Sequence, residues 1–183
     1  MAGWIILGII VLVAFWAVAI FNKLVKNRNL VMEGWSGIDV QLKRRYDLIP
    51  NLVETVKGYA KHEESTLSKV VELRNAAGKA QTAAEKAPLE TALTGMLRQV
   101  FALAEAYPDL KANQNFLDLQ EQLSEIEEQI QFARRYYNGA ARDMNILVQS
   151  FPSNFIASSF GFNAADYFEI ELATERESPK VQF

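Results

Sequence analysis

The sequence contains no cysteine and a single histidine, His62. Without cysteine there is no disulfide framework, no thiolate metal site and no cysteine nucleophile. One imidazole cannot build a histidine metal cluster without carboxylate help. Proline and glycine are sparse, five and nine residues in 183, and no low-complexity linker stands out. No internal repeat of fixed period is present. Nor is there an excess of positive charge: 19 Lys and Arg face 22 Asp and Glu, for a net charge of -3. That balance carries no bulk signal for nucleic acid. The sharpest local absence is charge itself, which is missing from residues 2–21.

About 20 apolar residues in a helix, at a rise of about 1.5 Å each, span a hydrocarbon core of about 30 Å. Residues 2–21 therefore read as a transmembrane helix, with residues 1–22 as the anchor. Trp4 near one end, and Trp16 and Phe21 toward the other, suit the two interfacial belts, and Lys23 and Lys26 follow directly. A buried core helix would share this composition. A cleaved signal peptide would fit Ala17-Val18-Ala19 but lacks a Lys or Arg ahead of the apolar run. Lys23, Lys26 and Arg28, then Lys43, Arg44 and Arg45, all follow the run. The positive-inside rule thus places the N-terminus outside and the rest of the chain in the cytoplasm, with the opposite orientation as the alternative.

Beyond the run, Trp35, Ile38, Leu42, Ile49, Leu52, Val56 and Tyr59 recur at alternating steps of three and four, with Arg45 in the vacant slot. This is a seam of coiled-coil type, and no strong stop separates it from Phe21. Gly34 and Gly37 weaken the helix there and permit close backbone approach of a neighbour, or else mark a flexible collar. Pro50 removes a donor and should bend the helix between Tyr46 and Pro50. A second helix is expected over 64–77 with Leu67, Val70, Leu73 and Ala77 inward, and residues 78–87 read as a loop or frayed helix. Pro88 suits the first turn of a third helix with Leu89, Leu93, Met96, Val100, Leu103 and Tyr107 inward. Asn115 is the expected N-cap of a fourth. Its seam is Phe116, Leu119, Leu123, Ile126, Ile130, Ala133, Tyr137, Ala140, Met144, Leu147 and Phe151, ended by Pro152. The fold expected is all-α: a transmembrane helix continuing into an antiparallel up-and-down four-helix bundle over 23–152. A tail over 153–183 is first aromatic, then acidic. Phe155, Phe160 and Phe162 would cap the bundle, touch lipid headgroups or dock on another subunit.

The run Ile38-Asp39-Val40-Gln41-Leu42-Lys43-Arg44-Arg45-Tyr46-Asp47-Leu48-Ile49-Pro50-Asn51-Leu52-Val53, with Val56, Lys57 and Tyr59, resembles the signature of the LemA family. So do Tyr107-Pro108-Asp109-Leu110-Lys111-Ala112-Asn113 with Asn115, Phe116, Leu119 and Gln120. Ala133-Arg134, Tyr136-Tyr137-Asn138, Asn145 and Phe151-Pro152-Ser153 extend the likeness over nearly the whole chain. Gly34 departs from the alanine expected in that family and bears on the straightness of the helix. The resemblance implies a bacterial membrane protein with one N-terminal span and an antiparallel helical bundle. A related branch of the family is linked to magnetosome membranes. The resemblance brings no enzymatic residues.

The residues themselves support the same reading. His62-Glu63-Glu64 lacks the second histidine of a metalloprotease box, where Thr66 stands instead. A di-iron bundle needs two Glu-x-x-His pairs, and Tyr59 lies three before His62. No serine sits in a nucleophile elbow and no glycine loop cradles phosphate. Neither catalysis nor a cofactor or metal is expected. Lys43-Arg44-Arg45 lies about 30 Å beyond the span in a straight helix, too far to sit at the headgroups of its own membrane. A solvated face is expected there, with Arg45 paired to an acid of the fourth helix. Asp39, Asp47 and Arg134 or Arg135 are candidates for further pairs. Glu121, Glu125 and Glu128 form a solvated carboxylate row. The function expected is a membrane-anchored, non-enzymatic structural protein that self-associates as a homo-oligomer and organises or remodels the inner-membrane surface. Its partners would be membrane lipid and its own copies, not nucleic acid. The alternative is an adaptor tethering a soluble partner or a membrane protease.

Overall fold

A computed structural model describes residues 1–60 and 62–169, and every regular element among them is an α-helix. The helices are α1 (Ala2–Tyr59), α2 (Glu64–Lys79), α3 (Ala83–Ala104), α4 (Pro108–Lys111), α5 (Gln114–Gln149) and α6 (Ser153–Ser159). Lys61 of the polar turn and the charges expected in the acidic tail, Glu171, Glu175, Arg176, Glu177 and Lys180, lie outside the described residues. The chain divides into two compact units. One combines residues 1–38 with 133–167; the other combines 39–132 with Phe168 and Glu169, the described residues that follow. The two long helices, α1 and α5, each contribute to both.

In the unit built on 39–132, the seam of α1 is buried where the spacing places it. Leu42, Arg45, Ile49, Leu52 and Val56 are all inside, and Tyr59 at the end is exposed. Each fully buried Leu or Ile is worth about 1.5–3 kcal/mol of transfer from water. Leu67, Val70, Leu73 and Ala77 of α2, and Phe116, Leu119, Leu123, Ile126 and Ile130 of α5, complete the apolar core as expected.

Pro50 does not interrupt α1. Lacking an N–H, it leaves the carbonyl of Tyr46, four residues earlier, without its helical donor. Arg74 of α2 supplies one: its Nε donates to the Tyr46 carbonyl oxygen at 3.2 Å. A neighbouring helix thus repairs the gap that proline makes.

Three local expectations are corrected. Residues 83–87 are helical, so α3 starts before Pro88, which lies in its second turn. The start signal is a capping box: Thr82 Oγ1 accepts from Glu85 N at 3.2 Å, and Glu85 Oε2 accepts from Thr82 N at 3.3 Å. The backbone N–H groups of Gln81 and then Thr82, both donating to its carboxylate, hold the Glu85 carboxyl below its ordinary range. The inward face of α3 is also rotated. Ala83, Lys86, Ala87, Glu90, Leu93, Thr94, Leu97, Val100 and Ala104 are buried, while Leu89, Met96, Leu103 and Tyr107 are only partly so. Polar residues take seam places because they serve an ionic group described below. Finally, α5 is capped by Asn113 and not Asn115: Asn113 Oδ1 accepts from Phe116 N at 3.1 Å.

In the other unit, the first part of α1 packs with the end of α5 and with α6. Leu24, Met144, Ala157 and Phe162 form its buried cluster, flanked by Ile20, Phe21, Val25, Leu147, Val148 and Ile156. Tyr137 and Ala140 of α5 are buried as expected, but Phe151, assigned to the same seam, is exposed because α5 ends at Gln149. Gly161, at φ 70°, closes α6. Phe162 N donates to Ala157 O at 2.9 Å and Gly161 N to Ser158 O at 3.4 Å, the two bonds of a Schellman motif. The turn sends Phe162 back into the cluster beside Ala157. The segment that follows is pinned to α5: Asn145 Nδ2 donates to Ala165 O at 2.9 Å and Asn145 Oδ1 accepts from Ala165 N at 2.7 Å. Tyr137 Oη donates to Asp166 O at 2.7 Å.

The role given to Arg74 is open to a double-mutant test. Arg74→Met lowers unfolding free energy by about 1–3 kcal/mol, the cost of stranding a partly buried carbonyl. In a Pro50→Ala background the helix supplies its own donor, and the same substitution costs about 1 kcal/mol less. Equal costs in the two backgrounds, measured by urea unfolding, contradict the repair.

Candidate membrane-proximal site and a buried ion cluster

Among the described residues, no part of the apolar window at the start of α1 is buried. Trp4 is exposed, and Trp16 stays partly open. The helix is long and apolar enough to cross a membrane. Burial begins at its far end, where Ile20 and Phe21 join the cluster around Leu24. Lys23 and Lys26 are exposed just beyond. Arg28 lays its guanidinium 5.3 Å from the Phe162 ring centroid, within the range of cation–π attraction.

The remaining residues singled out from sequence fall in three settings. Phe155 and Phe160 are exposed, whereas Phe162 is buried and occupied within its own chain. Gly34 meets α5 closely: a Cβ built on it would lie 2.9 Å from Tyr137 Cα, and Trp35 beside it packs on the Tyr137 ring at 5.6 Å. Only a residue without a side chain admits that approach. Gly37, by contrast, has nothing from the other described residues, its own helix backbone aside, within 4 Å of where a Cβ would stand.

The other unit contains an ionic cluster that the seam analysis reached only in part. Arg45 of α1 is 1% exposed. Its Nη1 donates to Glu127 Oε2 of α5 at 2.8 Å and to Thr94 Oγ1 of α3 at 3.0 Å, and its Nη2 pairs with Glu90 of α3. Tyr46 Oη donates to the other oxygen of Glu90. The pairing with the fourth long helix matches the sequence reading; Glu90, wholly buried, was missed. The signal for it was present, since Lys86, Glu90 and Thr94 stand four apart on one stripe of α3. Lys86 Nζ in turn donates to Asp39 Oδ1 at 2.6 Å, so Asp39 is partnered from α3.

Burial pulls the Arg45 pKa down, and the nearby Glu127 carboxylate opposes it; a guanidinium stays charged throughout. Burial pushes the Tyr46 phenol up to about 12, with the Arg45 charge working the other way. The phenol is therefore protonated at neutral pH and is a donor to Glu90. The cluster is enclosed by its partners, and its groups serve one another.

Outside it, an open groove of about 450 Å³ is lined by Asn51, Glu54, Thr55, Asn115, Asp118 and Gln122, with no imidazole. Glu121, Glu125 and Glu128 are exposed. Among the described residues, no three His, Cys, Asp or Glu side chains gather as metal ligands.

Residues 34–183 match the LemA family. This chain belongs to the LemA family. The match starts at Gly34, beyond the apolar run. Similar proteins include Protein LemA of Metamycoplasma hominis, 27% identical over 157 residues, which cover 82% of this chain and 70% of that protein. Magnetosome proteins MamQ 2 and MamQ 1 of Paramagnetospirillum magneticum are each 24% identical over 195 residues, covering 90% of this chain and 71% of theirs.

Two sets of substitutions test these contacts. Gly34→Ala lowers stability by about 1–3 kcal/mol through overpacking against Tyr137. Gly37→Ala, free of contacts, raises it by about 0.5–1 kcal/mol through helix propensity; thermal unfolding separates the two signs. Arg45→Met strands the Glu90 charge and lowers stability by about 3–5 kcal/mol. The apolar triple replacement Arg45→Met, Tyr46→Phe, Glu90→Leu recovers most of that loss in urea unfolding.

Proposed function

We propose that this LemA-family protein is a non-enzymatic, single-pass structural protein of the bacterial inner membrane whose copies associate and organise the membrane surface. The observation that carries the reading is the uncharged start of α1, apolar for the length of a bilayer and unburied by its own chain. In this reading residues 1–22 are the anchor, 23–152 form an antiparallel four-helix bundle with coiled-coil-like seams, and 153–183 are a tail. The N-terminus is outside and the bundle cytoplasmic, in keeping with Lys23, Lys26 and Arg28 after the run. Relatives named as magnetosome proteins are in keeping with work at a membrane. Copies meet at the exposed Met32 and Gly37. Identical subunits close most simply into a ring or another cyclic assembly.

Full-length protein in native membranes decides the matter. A photo-crosslinking residue replacing Met32 yields a ladder that ends at one discrete oligomer; monomer alone contradicts self-association. Ser65→Cys supplies the only thiol of the chain. It stays unlabelled by an impermeant maleimide added to intact spheroplasts, and labelling there reverses the orientation.

A further inference from the structure

Two stretches of more than 20 residues carry no charge: 2–22 and 144–165. They lie far apart in sequence, and one compact unit brings them together. Phe21, at the end of the first, stacks edge-on with Phe160 at 4.9 Å and Phe162 at 5.7 Å, both from the second. Ile20 and Phe21 share the cluster that Ile156 and Ala157 pack into. The end of α6 therefore stands beside the last turn of the apolar run, just before Lys23.

The helix α6 is sorted by size in an unusual sense. Small residues, Ser153 and Ala157, are buried, and phenylalanines face out. Phe151 is 79% exposed, Phe155 61% and Phe160 62%. The Phe151 and Phe155 rings pack on each other at 5.9 Å, so they form a surface and not scattered points. Water on that surface opposes the hydrophobic effect, and contiguous apolar patches of this kind mark interaction sites.

Continuity identifies what covers it. The apolar window of α1 is unburied along its length. Its surface passes through Phe21 directly onto Phe160. Whatever surrounds the span also meets α6, with no charged side chain between Met144 and Ala165 to resist it. At the same level Lys23 and Lys26 are exposed and Arg28 lies over Phe162, cations suited to anionic headgroups.

We propose that Phe151 and α6 form a second membrane contact, with Phe151, Phe155 and Phe160 set into the acyl–headgroup boundary of the leaflet from which the span emerges. The inference rests on the span crossing the membrane as proposed above.

The test uses the full chain in vesicles of three parts phosphatidylcholine to one part phosphatidylglycerol. Single-cysteine variants Val11→Cys, Phe155→Cys and Ser158→Cys carry an NBD fluorophore, and acyl chains are brominated either near the headgroup or near the methyl end. NBD at Val11 loses most of its emission with deep bromines. At Phe155 and Ser158 it loses at least twice as much emission with shallow bromines as with deep ones. Ser158→Cys keeps all three phenylalanines, so a fault of Phe155→Cys folding is exposed by disagreement between the two. Strong quenching at Val11 with none at Ser158 overturns the second contact and leaves the anchor standing. No quenching at Val11 overturns the anchor and the inference with it. A blue shift at Ser158 without quenching assigns the patch to a second copy and also overturns it.

Discussion

A guanidinium sealed from water dictates how the 39–132 unit is put together. Arg45 cannot shed its charge, and an uncompensated ion in an apolar interior costs several kcal/mol. Carboxylates must therefore come to it. Glu90 arrives from α3 and Glu127 from α5, while Thr94 accepts a further bond from Arg45 and Tyr46 donates one to Glu90. Leucines tolerate sliding by a turn; this group does not. Its geometry fixes the rotation of α3, which explains why polar Glu90 and Thr94 stand where an apolar seam would place Leu89 and Met96. Buried ionic groups of this sort often contribute little net stability and more register.

The long elements were legible because their signal is summed over many turns. The α5 seam holds its three-four alternation from Phe116 to Met144, and α1 does so from Ile38 to Val56 around Arg45. The errors fell where one polar atom decides. Thr82 with Glu85 begins α3 five residues earlier than the proline rule placed it, because a capping box satisfies two orphan amides and Pro88 is tolerated one turn on. Asn113 outcompetes Asn115 as a cap because its oxygen reaches Phe116 N. Pro50 was legible as a lost donor, but the replacement from Arg74 lies 28 residues away and no local pattern announces it.

The aromatic segment shows the same division. Its composition was plain, yet the split between buried Phe162 and exposed Phe160 came from Gly161. A left-handed residue there turns Phe162 back toward Ala157 and leaves Phe160 outside against Phe21. Gly34, out of keeping with the family's alanine, is explained by the backbone of Tyr137 standing where a methyl group would be. Family membership rests on residues 34–183, so the apolar run must be read on its own physics: length, absence of charge and absence of burial.

The division of the chain has a consequence for biogenesis. One unit is assembled from two stretches, 1–38 and 133–167, with 39–132 between them in sequence. A ribosome releases the chain from its N-terminus, and units fold as their last contributing residues emerge. Leu24 must wait for Met144, Ala157 and Phe162, more than a hundred residues behind it. Until then Ile20 and Phe21 lack their partners, and the apolar start of α1 is available to the insertion machinery well before the rest of its unit exists.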